Sequence, residues 1–91
     1  MPQDQFVDIK GNQTATFDPS NLPIKINDNV CWRNKTNEMH QPKPVGGADD
    51  AWTDPIPSNS PSLRCPGFSK PGTYDYVCAL HSGETGTITV G

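Results

Sequence analysis

The chain has 91 residues, of which only 32% are hydrophobic, and a formal charge of −3 with its lysines and arginines scattered singly. That length allows one small domain and no second core. The charge excludes a basic face for nucleic acid or anionic membrane. Ten prolines and eight glycines fall short of a low-complexity composition, and aromatic residues occur throughout, so the chain should fold. A chain this short buries about 60% of its unfolded surface, so a modest apolar share invites a staple such as a disulfide or a metal. Three cysteines are present. No apolar stretch approaches the roughly 20 residues of a membrane span. The first residues lack a charged n-region followed by an apolar h-region. Met1 therefore reads as the start of a mature domain or of a cytoplasmic protein, and cysteine usage must arbitrate.

Helical periodicity is absent and prolines interrupt almost every candidate window, whereas period-two alternation recurs. Val7 and Ile9 alternate with Phe6, Asp8 and Lys10, and Gly11-Asn12 marks a turn. Leu22, Ile24 and Ile26 alternate with Pro23, Lys25 and Asn27 as a half-buried strand whose proline needs an edge or a bulge. Asn27-Asp28-Asn29 supplies a turn. Val30, Trp32 and Asn34 follow as inward positions, with Cys31 and Arg33 on the other face. Residues 41–62 are proline-rich, contain Gly46-Gly47 and Asp49-Asp50, and are expected to be mostly irregular. Their Trp52 would cover an edge or contribute to a partner surface. After the Lys70-Pro71-Gly72-Thr73 turn, Tyr74, Tyr76 and Cys78 alternate with Asp75 and Val77. The β-branched residues 87–90 close the chain. Short strands separated by turns indicate an all-β chain, an antiparallel sandwich or barrel.

Chemistry concentrates in Cys78-Ala79-Leu80-His81-Ser82-Gly83-Glu84, a C-x2-H-x2-E loop between two strands. A thiolate and an imidazole three residues apart can reach one ion, and mixed sulfur and nitrogen donors suit copper or zinc. On spacing alone, a buried strand cysteine beside a surface histidine explains the motif equally well.

The wider sequence carries a resemblance. Phe17-Asp18-Pro19, Leu22, Ile24, Asp28, Val30, Trp32, Asn34 and His40 resemble the F-x-P…D-x-V-x-W-x-N…H run of small blue copper proteins. The stretch 68–78, His81 and the terminal Gly86-x-Ile88-x-Val90 resemble their second half. The chain is thus similar to the cupredoxins of the plastocyanin and amicyanin type over most of its length outside residues 41–62. This resemblance implies a single cupredoxin-like domain over residues 1–91, a Greek-key β-sandwich or barrel of seven or eight strands. It also implies a type 1 copper site with His40, Cys78 and His81 as ligands. The family's methionine, three residues after the second histidine, is replaced here by Glu84. As fourth ligand, a harder carboxylate would favour Cu(II), lower the potential and make the site less blue. Otherwise Glu84 points into water, leaving a three-coordinate copper or one completed by water or a backbone carbonyl.

Met39 adjoins a ligand position and should face away from it, and Glu38 reads as a surface charge. The family's asparagine after the first histidine is Gln41 here, which puts the tie between the ligand loops in doubt; Asn34 is the nearby polar candidate. In the plastocyanin-like arrangement the strands bearing Cys31 and Cys65 are neighbours, so a disulfide between them is expected, with two reduced thiols as the alternative. A disulfide implies periplasm, cell surface or secretion. The implied function is soluble one-electron transfer by a monomer, not an enzyme. Redox partners would dock at an exposed His81 edge rimmed by Leu80, Pro42 and Pro44. Two rivals are a copper site with a coordination position open to small molecules or catalysis, and a structural zinc or metal-free binding module.

Overall fold

The computed structural model describes residues 3–11, 15–45 and 52–91. Asn12 of the first expected turn, and Gly46-Gly47 and Asp49-Asp50 of the proline-rich run, lie outside them. Seven strands are formed among the described residues: β1 (Asp4–Lys10), β2 (Thr16–Asp18), β3 (Asn21–Ile24), β4 (Asn29–Asn34), β5 (Pro42–Pro44), β6 (Gly72–Cys78) and β7 (Thr85–Val90). They make two facing sheets, ordered β2-β1-β4 and β3-β7-β6-β5.

Alternation decides which side chains fill the space between the sheets. Val7 and Ile9 of β1, Val30 and Trp32 of β4, Tyr76 and Cys78 of β6, and Ile88 and Val90 of β7 are all buried, as the period-two reading requires. Ile26 is exposed because β3 ends at Ile24 and the chain turns through Asn27 at φ 74°. Asparagine tolerates that left-handed conformation. The turn is pinned by Asp28, whose carboxylate accepts hydrogen bonds from the backbone N–H of Gln3 and of Lys25, holding its pKa below the ordinary value.

Two features depart from the expected all-antiparallel arrangement. β1 pairs with β4 and β3 with β7 in parallel, because the chain crosses to the second sheet as β3 and returns as β4 running alongside β1. Alternation is identical in parallel and antiparallel strands, so inward-facing residues do not reveal direction. The proline-rich run also contains a strand. β5 lies on the sheet edge against β6, with Pro42 opposite Cys78 and Pro44 opposite Tyr76, a position where a missing N–H is tolerated.

The same run contributes to the core. Ile56 is fully buried, and Trp52 stacks on Trp32 with ring centroids 5.7 Å apart. Trp52 also meets the Phe68 ring edge-on at 5.3 Å, so it closes the core rather than serving as a free partner surface. Residues 60–67 run beside β4, where the carbonyls of Ser60 and Pro66 accept the N–H groups of Asn34 and Val30. Pro61 and Pro66 cannot donate in return, so this ladder stays incomplete. The expected disulfide joins Cys31 and Cys65 across it. In a chain-entropy account this crosslink contributes about 3–4 kcal/mol, a substantial supplement for a core built from few apolar residues.

Candidate metal centre

One end of the sandwich gathers His40, Cys78, His81 and Glu84, with a donor atom from each lying within 4.8 Å of the others. Local chain geometry explains the convergence. Tyr76 faces Gly86 across the β6–β7 hairpin, and Cys78 N–H donates to Glu84 O at 2.9 Å at the mouth of the same hairpin. Residues two apart on a strand share a face, so Cys78 and Glu84 point inward with Tyr76 and Gly86. The tight loop between them, with Gly83 at φ 87°, carries His81 back over the cysteine. His40 arrives from the other side, clamped by hydrogen bonds from His40 N–H to Ile56 O and from Ile56 N–H to His40 O.

His40 Nδ1 lies 3.0 Å from Glu84 Oε1 and 3.7 Å from Cys78 Sγ. His81 Nδ1 lies 3.5 Å from Cys78 Sγ and 3.8 Å from Glu84 Oε1. Donors with these separations can share one ion at bonds of about 2.0–2.3 Å. His40, Cys78 and Glu84 are buried, whereas His81 is 31% exposed by side chain. Glu84, only 3% exposed, does not point into water; its second oxygen accepts the Ala15 N–H at 3.0 Å.

The surrounding hydrogen bonds favour one tautomer of His40. Asn34 Nδ2 donates to the carbonyls of Glu38, Ile56 and Pro57, at 2.7, 3.1 and 3.0 Å, which orients its amide. Asn34 Oδ1 is therefore an acceptor facing Thr36 Oγ1 at 2.8 Å, and Glu38 O faces the same hydroxyl at 3.1 Å. The Thr36 hydroxyl directs its proton toward these two acceptors, and its oxygen accepts from Glu38 N–H at 3.2 Å and from His40 Nε2 at 2.9 Å. Nε2 carries the proton, and in the neutral ring Nδ1 presents its lone pair to Cys78 and Glu84. Such a lone pair opposite a carboxylate at 3.0 Å calls for a cation or a proton between them. The donor set and this preset tautomer therefore fit a metal ion.

Gln41 supplies the tie between the ligand loops through its backbone. Its N–H donates to Cys78 Sγ at 3.5 Å and its carbonyl accepts from Ala79 N–H at 2.8 Å, while its side chain donates to Thr53 O. Asn34 braces the His40 loop instead. Below the site Tyr76 is buried, which pushes its phenol pKa up to about 12, and Trp32 Nε1–H donates to its oxygen. Tyr74 lies farther down the strand, partly buried against Phe68, with its hydroxyl donating to Lys70 O.

The expected rim of His81 needs correction. Leu80 is exposed, but Pro42 is fully buried and Pro44 is only half-buried. Glu38, although exposed, faces His81 Nε2 at 2.9 Å rather than standing free as a surface charge. Sequence reasoning missed Thr36 and the Ala15 amide altogether. Thr36 had a local signal, since Asn34-x-Thr36 forms an Asx turn in which Thr36 N–H donates to Asn34 Oδ1. Ala15 had none.

Two facing mixed sheets, with a histidine from the first half and a cysteine–histidine hairpin loop converging at one end, define the cupredoxin fold, here with a glutamate where the axial ligand belongs. No family model matches the sequence. Among solved structures the chain is similar to amicyanin. A reduced Cu(I) form of a proline-to-glycine mutant of amicyanin superposes with a TM-score of 0.79 at 26% identity, covering 94% of this chain and 80% of that one. An oxidised methionine-to-lysine mutant of amicyanin gives 0.78 at 26% identity with the same coverage.

Proposed function

We propose that the protein is a copper-binding electron-transfer protein in which His40, Cys78, His81 and Glu84 hold one copper ion. The observation that carries this reading is the convergence of two imidazoles, a thiol and a carboxylate within 4.8 Å at one end of the sandwich, three of the four buried. The similarity to amicyanin in a Cu(I) form supports copper as the ion. Copper bound there would supply a one-electron Cu(II)/Cu(I) couple. The chain's own part is to keep the donors still: Thr36 on His40, the Gln41 N–H on Cys78 and the Ala15 N–H on Glu84 each restrain a donor. Glu84, a harder donor than a thioether, favours Cu(II), a lower potential and a less blue spectrum.

Residues 1–91 then constitute a single domain acting as a monomer. Electrons leave by the partly exposed His81, where the exposed Leu80 next to it in the chain offers a small apolar contact for a transient redox partner. The Cys31–Cys65 disulfide favours the periplasm or cell surface. Among the described residues, no helix is long and apolar enough to cross a membrane.

Visible and EPR spectra of the copper-loaded protein, with Glu84→Gln and Glu84→Met alongside, test this reading. An intense visible thiolate-to-Cu(II) band is expected, with Glu84→Met shifted toward a bluer, higher-potential site. Identical spectra in all three proteins would remove Glu84 from the ligand set. A spectrum perturbed by azide would indicate an open coordination position, and tight zinc binding without a copper–thiolate band would indicate a structural site.

A further inference from the structure

We propose that Glu38 is a positioning residue for His81, holding the ring with Nδ1 turned into the donor set. The inference rests on the metal-site reading above and concerns a residue whose carboxylate is otherwise 58% exposed. Its Oε2 lies 2.9 Å from His81 Nε2. A carboxylate there accepts the Nε2–H, which leaves the Nδ1 lone pair facing Cys78 Sγ at 3.5 Å. A metal-bound histidine gains ligand basicity and a fixed ring orientation when its other nitrogen donates to a carboxylate.

The backbone that carries Glu38 is itself braced. Its N–H donates to Thr36 Oγ1 at 3.2 Å, and its carbonyl accepts from Asn34 Nδ2 at 2.7 Å and from Thr36 Oγ1 at 3.1 Å. The segment from Asn34 to His40 thus sets both imidazoles in the same tautomer, His40 through the Thr36 hydroxyl and His81 through the Glu38 carboxylate. A contact this exposed adds little to folding. Its influence belongs to the metal, where an anion beside the ring favours the higher copper charge.

The test compares Glu38→Ala and Glu38→Gln with the native protein and with His81→Ala. Glu38→Ala should bind zinc, measured by chelator competition, about 10- to 100-fold more weakly, with the melting temperature of the metal-free protein nearly unchanged. Glu38→Gln keeps an acceptor for Nε2–H and should recover most of that affinity. Without the negative charge, its preference for Cu(II) over Cu(I) should fall about tenfold, a potential rise of about 59 mV. Native zinc affinity and potential in both Glu38 variants would overturn the proposal while leaving the site intact, provided His81→Ala loses metal. Native affinity in His81→Ala as well would overturn the site reading with it.

Discussion

Thr36→Val should weaken zinc and Cu(II) binding by about 10- to 100-fold and destabilise the metal-free fold by about 1–3 kcal/mol. Valine matches threonine in shape, so the packing is kept and only the hydroxyl is lost. That hydroxyl is buried and links Asn34 Oδ1 to His40 Nε2. Without it the Nε2–H of a fully buried ring has no acceptor, and the stability term is the cost of stranding that donor. The binding term has a separate origin. An unpaired Nε2 makes the Nδ1–H tautomer competitive, and that tautomer must give up a proton before it can ligate. Thr36→Ser, which keeps the oxygen, should restore both quantities toward native values. Chelator competition and thermal unfolding measure the two effects independently. Native affinity in Thr36→Val would mean that the Asn34–Thr36 relay does not set the His40 tautomer.

Gly86→Ala should cost about 3 kcal/mol, the upper end of ordinary overpacking, lowering the melting temperature by roughly 12–24 °C for a domain of this size. Tyr76 and Gly86 face each other across the hairpin, and the phenol ring lies over the glycine. A Cβ on residue 86 would sit 2.5 Å from Tyr76 Oη and 2.8 Å from its Cε1. The ring has nowhere to retreat. Phe17, Trp52 and Trp32 surround it with centroids 4.8, 5.5 and 5.6 Å away, and Trp32 donates to its hydroxyl. The strand must shift instead, and Glu84 two residues before Gly86 shifts with it. In a Tyr76→Leu background the same Gly86→Ala change should cost less than about 1 kcal/mol, because the two residues couple through direct contact. An equal cost in both backgrounds would place the strain elsewhere.

Both residues illustrate what the sequence exposes. The strands at Val7–Ile9, Val30–Asn34, Tyr76–Cys78 and Ile88–Val90 were legible because a half-buried strand imprints its period directly on residue polarity. Cys78, His81 and Glu84 were legible as donor types at close spacing in one loop and His40 through the family resemblance, whereas the burial of Glu84 beside them was not legible, since a glutamate in a loop ordinarily faces water. β5 was not legible, since a Pro-Lys-Pro strand hides its pairing by lacking two donors. Parallel pairing was invisible because inward alternation does not encode direction. Trp52 and Ile56 looked like loop residues because their partners, Trp32 and His40, lie 16–20 positions away in sequence. Glu38 looked like an ordinary surface charge for a simpler reason: polarity announces solvent, and only the fold discloses that a ring nitrogen stands in its path.

Copper-edge X-ray absorption of the loaded protein reads out whether a sulfur, two imidazoles and a carboxylate meet at one copper ion. One short sulfur scatterer from Cys78, two imidazole nitrogens and an oxygen are expected, with the sulfur lost in Cys78→Ser. A spectrum with nitrogen and oxygen neighbours only, unchanged by that substitution, would contradict this ligand set.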